Sequence, residues 1–383
     1  MEQIFSDFLN LNILWQTITA VFAGSFLIQI FYYLFFYIRV FAFRKKAPES
    51  HNNFPLSVII CARNEGNNLK GFLQKVLEQD YPNYEVIVVD DASEDHTNAV
   101  LNEYKKKYKK LYVTHIEKNA KFPHGKKLAL TIGIKAAKYK HLVFTDADCR
   151  PDTDKWLQSI ADSYNSETKL VLGYGGYLHK KGLLNKLIRF DTLFIALQYM
   201  SFAKAGIPYM GVGRNMSYTK DLYESAKGFS SHYHIFSGDD DLFANQTANK
   251  NNTVICADKA SIVRSVPKRQ LSELIHQKRR HLSTGKYYKF KPQVLLSGEV
   301  LSRLLFYLTF CLSLSVYIFP WIILGLFGFR LLAQYLSIGK ASRLFNEKDL
   351  MIFIIFFDIF IPLLNIWTVL SKYFIKNKIN QRW

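Results

Sequence analysis

The 383-residue chain has little cysteine and little negative charge. Its four cysteines, Cys61, Cys149, Cys256 and Cys311, stand too far apart for a zinc-type spacing. They read as reduced, mostly buried thiols, which suits a main domain in the cytosol. Asp and Glu number 31 against 50 Lys and Arg, leaving a net charge of +19. Such a surplus suits nucleic acid, an anionic membrane face or a polyphosphate substrate. A third absence narrows the choice. Leu14–Val40 contains no Asp, Glu or Lys and only Arg39 near its end. It exceeds the roughly 20 apolar residues that cross a bilayer. Met1–Trp15 contains no Lys or Arg, carries Glu2 and Asp7, and leads to no small-residue cleavage site. A cleaved secretory signal is thereby excluded. The bilayer accounts for the positive charge, and no nucleic acid is expected.

The basic cluster Arg39, Arg44, Lys45 and Lys46 sets the orientation. By the positive-inside rule, residues 1–13 lie outside and the chain beyond residue 41 lies in the cytoplasm. Residues 41–54 read as a linker. From Pro55 the pattern alternates between strand and helix. Leu56–Cys61, Tyr84–Val89, Tyr112–Ile116 and His141–Thr145 are short apolar runs that read as buried strands. Between them, Gly66–Glu78, Asp95–Tyr108 and Gly125–Ala137 have helical periodicity, the second led by Ser93 as its cap. Strands separated by helices predict a mostly parallel, Rossmann-like α/β sheet. Further on, Thr153–Tyr164 reads as a helix and Leu170–Tyr177 as a glycine-containing strand. Leu183–Ala205 reads as a long aromatic helix under the sheet or on the membrane.

After Val300 the chain turns apolar again. Leu304–Ile318 and Trp321–Ser337 flank Pro320 as a membrane hairpin, with Arg330 snorkelling or paired. Leu350–Leu370 reads as a further span containing Asp358 and Pro362. Residues 300–371 thus hold two or three spans, and the tail 372–383 is basic. Three crossings here would put that tail outside, against its charge. Either Leu350–Leu370 is re-entrant, or Leu304–Ser337 crosses once, or the rule is broken.

Chemistry-bearing residues fall at strand ends. Asp146-Ala147-Asp148 closes the fourth strand. In an extended chain, residues two apart point to one side, so the two carboxylates can converge on a hard cation such as Mg²⁺ or Mn²⁺. Alone, this would be an ordinary solvated turn. Asp90-Asp91 ends the second strand, and alone would be a favourable helix N-terminal turn. Gly211-Val212-Gly213-Arg214-Asn215, Ser237-Gly238-Asp239-Asp240-Asp241-Leu242 and Gln277-Lys278-Arg279-Arg280-His281 follow in that order.

Together these clusters resemble the membrane-bound family 2 glycosyltransferases, the inverting GT-A enzymes that include cellulose and hyaluronan synthases. The resemblance covers about Pro55–Gly285. It implies a GT-A catalytic domain over residues 55–265, basic interfacial helices over 266–299, and a multi-pass protein of the inner (plasma) membrane. It also implies that Ala62, Arg63, Glu65, Asp90, Asp91, Lys127 and Asp146 face the nucleotide of a nucleotide-sugar donor, with UDP favoured. Lys126 is an alternative to Lys127. Asp146 and Asp148 match the metal motif, for Mg²⁺ or Mn²⁺. Asp239 aligns with the general base, with Asp240 second. Gln277 and Arg280 match a diphosphate-binding motif, with Arg279 equally near. Gly213, Asn215 and His281 fall on the side of a lipid-linked or glycan acceptor. His281 stands where that motif has Trp, a departure that weakens the case for processive polymerisation. The expectation is a single sugar transfer, with a processive synthase or a non-catalytic nucleotide-sugar binder as alternatives.

Overall fold

A computed structural model describes residue 6 and residues 8–43, 51–118 and 125–374. The cluster Arg44–Lys46, residues 47–50 of the linker and the tail beyond 374 lie outside the described residues. The first helix, α1 (Ile13–Phe31), continues through a π turn at Tyr32–Phe36 and a 3₁₀ turn at Tyr37–Ala42. The alternating region follows as β1 (Leu56–Ala62), α2 (Gly66–Leu77), β2 (Tyr84–Asp91), α3 (Thr97–Lys107), β3 (Leu111–Ile116), α4 (Lys126–Ala136) and β4 (His141–Asp146). Next come β5 (Cys149–Pro151), α5 (Trp156–Ala161), β6 (Leu170–Gly173), β7 (Gly175–Tyr177) and α6 (Leu183–Lys204). They lead to β8 (Met216–Thr219), α7 (Lys220–Ser225), α8 (Asp241–Thr247), β9 (Thr253–Cys256), β10 (Val263–Ser265) and α9 (Leu271–Leu282). The chain closes with α10 (Phe290–Ser315), α11 (Pro320–Leu344) and α12 (Ile354–Phe374).

The main sheet has the order β3-β2-β1-β4-β8-β6-β9. Only β8 runs antiparallel to its neighbours, β4 and β6. The central strands are apolar at every position because helices cover both faces. On one face Ile59 and Phe144 pack with Ala129 and Leu130 of α4. On the other, Val58 and Ile60 pack with Leu69 and Leu73 of α2. This is the burial that a parallel sheet requires. A second sheet, β5-β10-β7, sits beyond the end of β4.

Three local expectations change. The run 170–177 is two strands in two sheets, broken at Tyr174, whose ring stacks on Phe345 at 4.2 Å. The helix expected over 153–164 contracts to Trp156–Ala161. Ser93 does not cap α3, because its Oγ accepts the Asn64 amide instead.

Four helical stretches, 13–42, 290–315, 320–344 and 348–371, are long and apolar enough to cross a membrane. Antiparallel α1 and α10 pair along their length. Phe22 stacks on Phe306 at 5.2 Å, Gln29 Nε2 donates to Ser302 Oγ at 2.9 Å, and Tyr32 donates to the Leu295 carbonyl. Helix α10 starts ten residues before the expected span boundary, since Lys289 is already fixed to Asn245 of α8. Arg330 is paired rather than snorkelling: it meets Asp358 at 2.8 Å and Gln29 Oε1 at 2.9 Å. Helix α6 packs under the sheet, and its Phe202 stacks on Phe36 at 4.2 Å.

Candidate active site

In the order β3-β2-β1-β4, chain connections reverse between β1 and β4. A crevice opens outside the carboxyl ends of such strands. Register makes those ends level: Cys61 pairs with Asp146, and Ala62 with Asp90. The loops after β1 and β2 are stapled together. Asn64 Oδ1 accepts the Glu94 amide at 2.8 Å, and the Glu65 amide donates to Thr97 Oγ1 at 3.0 Å. Asn64 and Ala92 both take left-handed φ, +57° and +52°. Such conformations are costly for non-glycine residues and concentrate at functional sites.

Asp146 ends β4, and Asp148 follows across a tight turn. Ligand atoms of Asp146, Asp148 and Cys149 all lie within 4.8 Å of one another. The two carboxylates suit an oxygen-seeking divalent ion. Cys149 does not: burial pushes its thiol up, so it stays protonated and donates to Asp148 Oδ1. Asp148 also accepts from Ser265 Oγ at 2.8 Å. Burial and then the nearby Asp146 push its carboxyl above the usual range.

The segment 237–242 arrives from the far side of the sheet and meets β4 through Lys126. Lys126 Nζ lies 2.8 Å from Asp146 and 3.1 Å from Asp239. Lys127, its neighbour, turns away and donates to the carbonyls of His232, Ile235 and Ser237. It shapes the loop that delivers the acids, while Lys126 enters the cluster. A pocket lined by Lys126, Asp146, Gly213, Asp239 and Asp240 has Cys61 and Phe144 in its walls. A more open depression bordered by Glu167, Lys169 and Asn249 holds none of these carboxylates.

The three consecutive acids have different partners. Asp241 Oδ2 accepts from Thr284 and from Tyr288, at 2.5 and 2.8 Å. Asp240 accepts the Gly213 amide at 2.7 Å and the Asp241 amide at 2.8 Å. Burial, then Asp239 and Asp241, push Asp240 up to about 7. Burial also acts to raise Asp239, but Lys126 more than offsets it and holds that carboxyl below its ordinary value.

The remaining expected residues divide between the pocket and the scaffold. Arg63 lies 3.6 Å from Asp91, and Ala62, Asp90 and Asp91 are buried at the strand ends. Asp90 accepts the Ser93 amide and lies 3.1 Å from His115 Nδ1. Glu65 accepts from Asn68, and burial raises its carboxyl. Gly213 approaches so closely that an added Cβ would meet Asp240 Oδ2 at 3.3 Å and Lys126 Nζ at 3.4 Å. Asn215 is expected on the acceptor side, yet it is almost fully buried and its amide is committed. It donates to the Tyr174 and Ser261 carbonyls and accepts from Trp156. Gln277 donates to Tyr177 OH at 3.0 Å, and the Tyr177 ring carries the Arg214 guanidinium at 4.4 Å. Gln277 therefore positions Arg214, whose charge acts on Asp146 and Asp148. The sequence placed Arg214 only as a filler between motif positions. Arg280 acts electrostatically on Asp239, and His281 is exposed.

A buried ionic clamp lies behind the metal motif. Glu347, in the α11–α12 connection, is 0% exposed. It accepts from Arg264 at 2.6 Å and from Arg189 at 2.7 Å. Arg264 precedes Ser265, the partner of Asp148, and also binds Asp152 at 2.7 Å. An isolated acid between apolar helices gave no sequence signal for this.

Residues 57–225 match the family model described as Glycosyl transferase family 2. A poly-beta-1,6-N-acetyl-D-glucosamine synthase of Staphylococcus epidermidis is 32% identical over 133 residues, 34% of this chain and 31% of that protein. Glycosyltransferase AglE of Haloferax volcanii is 27% identical over 188 residues, 48% of this chain and 58% of that protein. The chain thus spans about a third of the first relative and rather more than half of the second. The mannosyltransferase PcManGT of Pyrobaculum calidifontis, solved with GDP-Man and Mn²⁺, superposes with a TM-score of 0.58 at 19% identity. That match covers 93% of this chain and 99% of the other, and the likeness is one of fold.

Proposed function

Residues 57–225 form a glycosyl transferase family 2 domain, and on that premise we propose that the protein is an inverting, metal-dependent glycosyltransferase. Its donor is a nucleotide-diphosphate sugar, with UDP favoured, and its acceptor a lipid-linked or membrane-proximal glycan. The catalytic domain works at the cytosolic face of the inner (plasma) membrane. One observation carries the reading: Lys126 bridges Asp146 at the end of β4 and Asp239 from a distant loop. The metal motif and a free carboxylate thereby face one pocket.

Asp146 and Asp148 would hold Mg²⁺ or Mn²⁺, which when bound stabilises the charge of the departing diphosphate. Arg280, Arg214 and Lys126 supply fixed positive charge near the same group. Asp239 is the general base, since Asp240 and Asp241 are committed to amides and hydroxyls. The acceptor oxygen bonds to the anomeric carbon as the sugar–phosphate bond breaks. The nucleoside diphosphate leaves with that electron pair, and Asp239 takes the acceptor proton. Lys126 keeps Asp239 deprotonated for this step.

Support for a nucleotide-sugar donor comes from the mannosyltransferase neighbour, solved with GDP-Man. The polysaccharide synthase among the relatives favours a second reading, processive synthesis. Product length on a gel separates the two. The deciding experiment screens nucleotide sugars with purified protein in detergent, Mn²⁺ or Mg²⁺, and lipid extract as acceptor. Wild type should turn over one donor. Asp239→Asn should abolish turnover and keep donor binding, whereas Asp148→Asn should lose both. Absence of turnover with every donor would refute the proposal.

A further inference from the structure

We propose that α12 is not a fourth crossing: it lies in the plane of the membrane, clasped between the catalytic domain and one lipid leaflet. This needs only that α1, α10 and α11 cross a bilayer, and it is independent of the sugar chemistry.

Leu350, Ile354, Phe357, Ile361, Leu364, Thr368 and Ser371 are buried. They recur every three or four residues, which makes one continuous stripe along the helix. The apolar members of that stripe share a core with Leu187, Phe190 and Phe194 of α6 and Leu274 of α9. The separate core between the crossing helices, built on Phe22, Phe306 and Ile323, takes no residue from α12. The helix therefore packs along its length on the catalytic domain, not on the bundle.

Both ends are also tied to that domain. Just before α12, Asp349 meets Arg189 of α6 at 2.9 Å. Near its end, Ser371 Oγ accepts from Arg279 of α9 at 2.9 Å. A helix of 21 residues is about 31 Å long, close to the thickness of a bilayer core. Had α12 crossed, Ser371 would lie at the far leaflet. Yet α9 stays at the catalytic domain, where its Gln277 reaches Tyr177.

The opposite face exposes Phe356, Phe360, Leu363, Ile366, Trp367 and Leu370 with no charge among them. Exposed apolar side chains of α10 and α11, such as Leu301, Leu308 and Leu332, belong to helices that are continuous with this domain. Lipid is the occupant that covers both surfaces at once. In-plane helices ordinarily keep a charged face in water; here the protein replaces the water. An in-plane α12 also returns the basic tail to the side of the catalytic domain, as the positive-inside rule requires. Through Arg279 it holds α9, which carries Gln277 and Arg280, against the leaflet.

The test uses the full-length chain with Cys311→Ser, in sealed inverted membrane vesicles. Lys105→Cys on α3 and, separately, Asn380→Cys in the tail are probed with a membrane-impermeant maleimide. The two cysteines should be labelled together or protected together. Labelling of one with protection of the other overturns the proposal. Nitroxides at Phe356→Cys and Leu370→Cys give an independent reading. In a crossing helix their depths differ by about 21 Å, from about 1.5 Å per residue. Near-equal depths, with both labels open to lipid-soluble oxygen, are expected. Labels closed to oxygen would indicate a second protein copy on this face and would overturn the lipid assignment.

Discussion

Replacing Lys126 with Met tests the electrostatic logic of the pocket directly. Its ammonium lies 2.8 Å from Asp146 and 3.1 Å from Asp239, with 23% of the side chain exposed. At an effective dielectric of about 20, a unit-charge pair at that separation is worth about 5 kcal/mol before further screening. Pocket water lowers this, and an adjacent opposite charge commonly depresses a carboxyl by about 1–3 pH units. Lys126 offsets the burial of Asp239 and holds its carboxyl low. Without it, burial and the neighbouring acids push that carboxyl up. A general base works deprotonated, so the acid limb of kcat/KM should move to higher pH by about 1–3 units. Activity at neutral pH should fall about tenfold or more and recover in alkaline buffer. Lys126→Arg keeps the charge and should return most of the shift. The assay is the pH dependence of kcat/KM for wild type and both variants with saturating divalent ion. An acid limb that stays put in the Met variant would refute the role of Lys126, and with it Asp239 as the base.

Glu347→Ala leaves two buried guanidiniums, Arg189 and Arg264, without their shared carboxylate. It should cost about 3–5 kcal/mol, read by thermal unfolding in detergent, and an unchanged midpoint would remove the clamp. Asp240 is raised to about 7 in the fold, so the folded state keeps a proton that the unfolded chain has already lost. Metal-free stability should therefore decline as pH rises from the ordinary carboxylate range to about 7, and Asp240→Asn should flatten that slope. Gly173→Ala puts a Cβ 2.5 Å from the Asn215 amide, which anchors Trp156 and two carbonyls. Overpacking there should cost about 1–3 kcal/mol by the same unfolding assay, with wild-type stability as the contrary result.

The central strands were legible because their signal is local. Leu56–Ala62 and His141–Asp146 are apolar on both faces and end at a polar turn, as a doubly covered parallel strand must. The acids at those ends were legible for the same reason. What escaped was set by distant partners. Tyr174 breaks the 170–177 run because Phe345, far along the chain, stacks on it. Lys126 and Lys127 differ by one step of helix phase, about 100°, and only the placement of α4 against β4 and the 232–237 loop decides which one enters the pocket. Hydropathy marked 348–371 as a span because it sums composition. It cannot register that one stripe of α12 belongs to the core of the catalytic domain.

The Asp239-Asp240-Asp241 triplet shows how the fold handles three adjacent like charges. Left without partners, they would repel and share protons. The fold gives each a different neighbour: an ammonium for Asp239, backbone amides for Asp240, hydroxyls for Asp241. Only the first is free of structural duty, and it alone faces the metal motif through Lys126. The third ties the pocket to the membrane. Thr284 and Tyr288 lie in the short connection from α9 to α10, so a shift of α10 in the bilayer pulls on Asp241. Asp240 accepts the Asp241 amide and also holds Gly213, so the pull reaches the pocket wall within two hydrogen bonds. A lipid-borne acceptor must come from that side, and the geometry of the base is thereby set by the helices that meet the lipid.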